Sequence, residues 1–294
     1  MASEFEFLLF DRITKIQSIM RQYGEENFYI SFSGGKDSTV LHELVDMALP
    51  GNKMPRVYMN TGIEYQLILD FVKEKAAKDD RFQIIKPQVP IKQTLEKYGY
   101  PFKSKEHSEY LGIYQRNGMT ATPKRYVYPA ESRKSFGCPK CLKYQFNEDF
   151  NIKVSDKCCE KMKEEPLKKW QIENNKPYKM LGLMREEGGR RNRSGCLAFT
   201  KNKLTAFQPL TVVTKEWENW FIEKYGIELS PIYLPPYNFE RTGCKCCPMA
   251  INLQEQLDIL EKYLPNERKQ CEAIWKPIYE EYRRIGYRLR KEQE

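Results

Sequence analysis

The residues best able to do chemistry form one short run, Ser33-Gly34-Gly35-Lys36-Asp37-Ser38. Phe28, Tyr29, Ile30 and Phe32 precede it as an apolar stretch, and Val40, Leu41, Leu44 and Val45 follow at helical spacing. That order predicts a strand, a glycine turn and a helix N-terminus, where backbone N–H groups and the helix dipole converge on an anion. Gly34 and Gly35 let the backbone approach a phosphate closely and tolerate positive φ. Ser33 and Ser38 supply hydroxyls. Lys36 suits the β,γ-phosphates of ATP, and the adjacent carboxylate of Asp37 suits Mg2+. The run is not the G-x-x-x-x-G-K-[ST] loop of common NTPases, because its first glycine stands too close to the lysine. A plain turn with Asp37 or Ser38 as N-cap would use some of the same residues. Serines on both sides followed by Lys-Asp favour phosphate binding.

Nine cysteines are the second chemical resource. Cys138-Pro139-Lys140-Cys141 and Cys244-Lys245-Cys246-Cys247 each contain a C-x-x-C, and Cys158-Cys159 are adjacent. In a reducing compartment such clusters point to metal ligation or redox work more than to disulfides. Four thiolates around one centre suit zinc or an iron–sulfur cluster. Two C-x-x-C pairs alone would suggest zinc on Cys138, Cys141, Cys244 and Cys247. An adjacent Cys-Cys is awkward for one tetrahedral ion, whereas a cubane spreads its ligands over four irons. Buried structural thiols remain the alternative for Cys158 and Cys159. With His42 and His107 the only histidines, acid–base catalysis by imidazole has little to work with, and His42 reads as structural.

The elements that must position these residues follow from periodicity. Pro55–Asn60 and Phe82–Ile85 read as strands two and three, with a helix over Tyr65–Lys78 between them. This β-α-β-α-β alternation predicts a parallel twisted sheet covered by helices, an α/β fold. Ligands in such sheets sit beyond the carboxyl ends of the strands. Ser33–Ser38 and the turn Thr61-Gly62-Ile63-Glu64 are both expected there. Tyr98–Lys153 is irregular, and is expected to form short helices and covering loops in which Tyr110, Tyr114, Tyr126 and Tyr128 either stack on bases or pack. A helix over Lys157–Glu173, a strand over Tyr178–Met184 and a helix over Lys215–Tyr225 follow. Two terminal helices, Leu253–Tyr263 and Asn266–Arg284, complete the chain. The expected organisation is one catalytic domain over 1–250 and a helical C-terminal extension over 251–294.

Composition sets the outer bounds. At 294 residues, 40% hydrophobic and 30% charged, the chain can bury one large core or one core plus a smaller region. No apolar run approaches the ~20 residues that span a bilayer. The N-terminal segment carries Glu4, Glu6 and Asp11 and reads as an amphipathic helix, so a cytoplasmic location is the expectation. A net charge of +9 fits anionic ligands.

Taken in order, several segments resemble the phosphoadenosine phosphosulfate (PAPS) reductase family of PP-loop, adenine nucleotide α-hydrolase-like proteins. Ser33–Ser38 is similar to the family's SGGKDS loop, and Thr61-Gly62 with Glu64 to its TG-x-E segment. Cys158-Cys159 with Lys163, Pro166 and Leu167 resembles its CC block. Gly182, Arg185 and Arg190 or Arg191 fall in a G-x-R-like segment, and Gly243-Cys244…Cys247-Pro248 resembles GC-x-x-CP. The resemblance spans about residues 25–250 and implies a Rossmann-like fold. It also implies a 4Fe–4S cluster, with zinc as the alternative metal, on Cys158, Cys159, Cys244 and Cys247. It leaves Cys138 and Cys141 without a family role, either half of another site with Cys246 or Cys196 or spare thiols.

Two departures shape the functional expectation. The C-terminal Glu-Cys-Gly-x-His nucleophile segment of sulfonucleotide reductases is missing, and Cys271 stands mid-helix with no histidine beside it. The Lys36-Asp37 pair suits ATP, and reductases of the family can dispense with it. The leading expectation is therefore ATP α–β cleavage coupled to sulfur transfer. In it Lys36 and Asp37 act on the phosphates and Mg2+, and Arg185 with Arg190 or Arg191 clamps further anionic groups. Reduction of APS or PAPS and non-catalytic nucleotide sensing are the alternatives. The implied partners are an adenine nucleotide, a nucleic-acid acceptor (tRNA or DNA), a sulfur donor or thioredoxin-like reductant, and a second copy of the chain, with no membrane.

Overall fold

The computed structural model describes residues 3–130, 137–187 and 195–291. They divide into two compact units.

The first unit, 1–60, 66–86 and 167–242, holds a six-stranded sheet of order β3-β2-β1-β4-β6-β5. The strands are β1 (Phe28–Phe32), β2 (Arg56–Met59), β3 (Phe82–Ile85), β4 (Tyr178–Met180), β5 (Leu197–Thr200) and β6 (Lys203–Phe207). All neighbours pair in parallel except β5 with β6. Helices α1 (Glu4–Tyr23), α2 (Lys36–Ala48), α3 (Gln66–Lys78) and α9 (Lys215–Tyr225) belong to this unit. The expected parallel α/β fold is the observed one. β1 reads as a nearly unbroken apolar run because its residues are covered on both faces: Phe28, Tyr29 and Ile30 are fully buried. Tyr29 packs on Trp170 with ring centroids 5.1 Å apart. Among the described residues no helix is long and apolar enough to cross a membrane.

Three local expectations need adjusting. The strand expected over Tyr178–Met184 ends at Met180, because Gly182 there approaches the backbone of Asp37. A Cβ on Gly182 would stand 2.5 Å from the Asp37 carbonyl oxygen. Sequence reading found no β5–β6 hairpin. Its turn is Lys201-Asn202, both at positive φ (49° and 62°), the conformation of a primed hairpin turn without its usual glycine. The helix expected over Lys157–Glu173 is broken into α7 (Lys157–Cys159), a π-helical turn (Glu160–Glu164) and α8 (Glu165–Glu173).

The second unit, 61–65, 87–166 and 243–294, is built from helices. It contains α4 (Ile91–Tyr98), α5 (Lys105–Asn117), α6 (Ala121–Val127), α10 (Leu253–Tyr263) and α11 (Pro265–Ile285). The helices beyond residue 251 thus group with 87–166. Ser104 caps α5 by accepting from the His107 N–H. Tyr126, one of the four tyrosines with two expected uses, is buried and bonds His107. Among the described residues of this unit, an isolated parallel bridge joins Tyr100 and Val154.

Candidate functional site

In the first unit the sheet reverses its winding between β1 and β4: β1, β2 and β3 step one way, and β4 starts on the other side of β1. A crevice beyond the carboxyl ends at such a switch point is where open α/β sheets bind ligands. Two expected site segments leave the sheet there. Ser33–Ser38 follows β1, and the exposed Arg185 stands in a short 3-10 turn after β4.

The Ser33–Ser38 loop is organised by its own hydroxyls. Ser33 Oγ and Ser38 Oγ lie 3.0 Å apart, the Gly35 N–H donates to Ser33 Oγ at 3.2 Å, and Ser38 Oγ donates to the Gly35 carbonyl. Gly35 is the N-cap of α2, and Lys36 opens the helix. The leading amides of α2 have no earlier carbonyl in the helix to bond. Gly34 sits at φ +70°, and a Cβ there would come within 2.8 Å of Ile68 and 2.9 Å of Val72. Glycine is therefore required both by backbone conformation and by the approach of α3. A Cβ on Gly35 would meet Ser33 Oγ at 3.0 Å and the Tyr233 hydroxyl at 3.3 Å.

Tyr233 and Thr242, both missed in the sequence, complete this loop. The Tyr233 hydroxyl bonds Thr242 Oγ1 and takes a hydrogen bond from the Lys36 backbone N–H. Burial, with the charge of Asp37 adding to it, pushes this phenol up to about 12, so it stays protonated. No local signal marks either residue. Gly182 was visible as a glycine just past a strand, but its contact with the loop was not. Arg190 and Arg191 lie outside the described residues.

Thr61, Gly62 and Glu64 follow β2 in the chain, yet they group with the second unit. There Glu64 accepts from the Thr61 N–H (2.9 Å) and hydroxyl (2.7 Å). It also faces the Lys163 ammonium at 3.7 Å. Gly62 takes φ +82° in open space. Lys163, raised above its ordinary value chiefly by Cys244 and next by Glu64, hydrogen-bonds the Cys244 thiol. The π turn that carries Lys163 comes directly after Cys158-Cys159, and such turns recur at functional sites.

The four expected cysteines act on one another within this unit. Burial, then Cys244, pushes up the thiols of Cys158, Cys159 and Cys247. Lys105 adds a second cation beside Cys159. The C-x-x-C loop is held by α11. Trp275 Nε1 donates to the Lys245 carbonyl (3.1 Å), Tyr282 to that of Pro248 (2.9 Å), and Tyr279 to that of Cys246. Lys245 is buried against Glu267. Among the described residues no three His, Cys, Asp or Glu stand together closely enough for one metal ion. Of these four thiols Cys158 is buried and Cys159, Cys244 and Cys247 are half-buried, with Lys163 and Lys105 acting on the set.

The remaining thiols have different surroundings. Cys246 lies 3.7 Å from the Tyr65 hydroxyl and hydrogen-bonds the buried Cys271. Cys196, in the first unit, sits 4.0 Å from an Arg12 nitrogen. Cys138 is buried and pushed up to about 12 by burial, and Cys141 is exposed. His42 accepts from Arg56 Nε at 3.1 Å, and His107 is fully buried between Tyr126 and Gln145. Both are structural.

The phosphoadenosine phosphosulfate reductase domain family matches residues 27–130. An uncharacterised protein of Methanocaldococcus jannaschii is 26% identical over 297 aligned positions. That match takes in 90% of this chain, and the chain spans 58% of the relative's length. Three solved structures are similar at low identity. PAPS reductase from Candida auris in its phosphate complex has 13% identity and TM-score 0.45, covering 78% of this chain and 87% of that one. NH3-dependent NAD synthetase from Campylobacter jejuni has 14% identity and TM-score 0.39, covering 94% and 95%. The U34-tRNA thiolase of Methanococcus maripaludis with its [4Fe-4S] cluster has 13% identity and TM-score 0.40, covering 93% and 80%.

Proposed function

With a PAPS reductase family domain over residues 27–130 as the premise, we propose that this chain binds ATP at the switch point of its sheet. It cleaves the nucleotide between the α- and β-phosphates in the service of sulfur transfer, with a 4Fe–4S cluster as cofactor. The observation that carries this reading is the Ser33–Ser38 loop after β1, with its hydroxyl-braced glycines and Lys36 opening α2.

An acceptor oxygen attacks the α-phosphorus, the bond from that phosphorus to the bridging oxygen breaks, and pyrophosphate leaves with the electron pair. A sulfur nucleophile at the hydrosulfide level then displaces AMP from the activated acceptor. Positioning and charge stabilisation supply the rate. Lys36 neutralises the departing pyrophosphate, Asp37 holds Mg2+, and Ser33, Gly34, Gly35 and Ser38 bind phosphate oxygens. Arg185, with Arg190, clamps further anionic groups. Cys158, Cys159, Cys244 and Cys247 would hold the cluster, which supplies a redox-active iron–sulfur centre for sulfur delivery. Lys163 and Lys105 offset its negative charge. Glu64, held by Thr61, orients Lys163 in this scheme.

The reductase alternative is weakened by Cys271. It is 1% exposed, unlike a thiol that attacks a substrate and is then reduced by a protein partner.

The test is pyrophosphate release from ATP and Mg2+ with RNA or single-stranded DNA as acceptors. Wild-type protein is expected to release it, and Lys36→Ala to lower the rate roughly 100-fold or more. Thioredoxin-dependent sulfite from APS would replace this reading with the reductase. Tight ATP binding without any product would replace it with a nucleotide-binding regulator.

A further inference from the structure

The second unit carries a cavity of about 750 Å3 that the chemistry above does not use. Its walls are α5, the end of α4 and the segment 147–157. Four cations line it, Lys97, Arg116, Lys153 and Lys157, against one carboxylate, Glu148. Three rings, Tyr98, Tyr114 and Phe150, line it as well. From this combination we propose that the cavity binds a single-stranded segment of nucleic acid.

The two components answer to two parts of one ligand. Phosphates require cations along a groove, and unpaired bases require flat faces. A polyanion without bases has no use for the rings. Two of the rings are braced from outside the cavity: Tyr114 packs on Phe146 with centroids 5.6 Å apart, and Phe150 on Tyr144 at 5.9 Å. Tyr98 has the Lys97 ammonium 5.2 Å and the Lys161 ammonium 5.4 Å from its centroid. The walls are fixed too. Gln115 donates to the Ile152 carbonyl (2.7 Å) and accepts from the Val154 N–H (2.9 Å), tying α5 to the opposite segment. Lys153 Nζ is held by the Lys97 carbonyl at 2.6 Å. Gly112 keeps the wall thin, since a Cβ there would stand 2.9 Å from the Val154 carbonyl oxygen and 3.3 Å from Arg116 Nη1. Lys157 is partly neutralised by Glu160 at 2.5 Å, so Lys97, Arg116 and Lys153 provide most of the field. The volume matches one or two nucleotides by the usual size of ligand pockets, about 300–1,000 Å3.

The position of the cavity gives it a role. The wall segment Val154–Lys157 runs straight into Cys158-Cys159. A nucleotide seated there lies beside the segment that presents two of the cysteines. The cavity thereby identifies the acceptor as nucleic acid, an assignment of role that rests on the proposed function, whereas binding itself does not.

The experiment is fluorescence anisotropy of labelled single-stranded RNA and DNA dodecamers, their duplexes and polyphosphate, without ATP. Lys97→Ala/Arg116→Ala is expected to weaken single-strand binding and to reduce the slope of log affinity against log salt by about 1 per lost phosphate contact. Tyr98→Leu is expected to weaken single-strand binding by roughly 10-fold while leaving polyphosphate untouched. Lys276→Ala, on the exposed face of α11, should bind as wild type. Lys97 and Arg116 are exposed, so the double variant decides the matter even if Tyr98→Leu fails to fold. Wild-type affinity in the double variant, or polyphosphate binding as tightly as the dodecamers, would overturn the assignment. Single-strand binding lost in the variants without any pyrophosphate release in wild type upholds the cavity and sinks the functional reading. Pyrophosphate release with variant binding unchanged does the reverse.

Discussion

At the scale of single residues, two glycines at positive φ separate conformational need from packing need. Gly34 is at +70° with Ile68 and Val72 in the way of a side chain, whereas Gly62 is at +82° with nothing within 4 Å. Left-handed backbone costs an L-residue about 1–2 kcal/mol, so Gly62→Ala is expected to lose only that much. Gly34→Ala should lose more, because α3 must also move, and should abolish ATP binding. Urea melts of both variants and titration calorimetry with ATP check the pair; equal losses would show that Ile68 and Val72 give way. The Gly-Gly turn itself was legible in the sequence, since residue type and spacing suffice to mark it. Its partners Tyr233, Thr242 and Gly182 were not, because a side chain far along the chain leaves no periodic trace where it arrives.

At the scale of elements, α5 is anchored through His107. Its Nε2 meets the Gln145 carbonyl oxygen at 2.8 Å and its Nδ1 the Tyr126 hydroxyl at 3.0 Å. The Gln145 oxygen can only accept, so Nε2 carries the proton and Nδ1 accepts. Burial, with Lys103 and Arg288 adding positive charge against the Gln145 bond, lowers the imidazole from 6.5 to about 4. The folded value lies below the unfolded one, so the unfolded chain takes up the proton first. The stabilisation is complete above pH 6.5 and is lost as pH falls toward 4, roughly 2–4 kcal/mol in all. Denaturant melts between pH 5 and 7 should show wild type losing stability faster on acidification than His107→Gln. Parallel slopes would place the sensitivity in other groups. The broken helix over Lys157–Glu173 belongs to this scale as well. Its periodicity was readable, but the π turn that presents Lys163 toward Glu64 and Cys244 was not, because one extra residue in a turn barely alters an apolar pattern.

At the scale of the whole molecule, the thiol centre is the feature most open to direct measurement. Protein purified anaerobically is expected to be coloured and to hold about four irons and four sulfides per chain if the cubane assignment is right. Cys158→Ser and Cys247→Ser should each remove iron and colour, and Cys138→Ser should leave both. Colourless protein holding only zinc would end the assignment. The parallel sheet, the glycine turn after β1 and the spacing of the cysteines were legible in local sequence. Apolar runs, glycines and C-x-x-C spacings express backbone and ligand chemistry that neighbours along the chain already dictate. Only tertiary structure decided the rest: the switch point between β1 and β4, the grouping of Thr61–Glu64 with the cysteines, and the use of α11 as the brace of the C-x-x-C loop. It also built a basic, ring-lined cavity from α4, α5 and the stretch before Cys158. Each of these depends on contacts between residues tens to hundreds of positions apart, and hydrophobic burial chooses among such contacts only when the entire chain has collapsed.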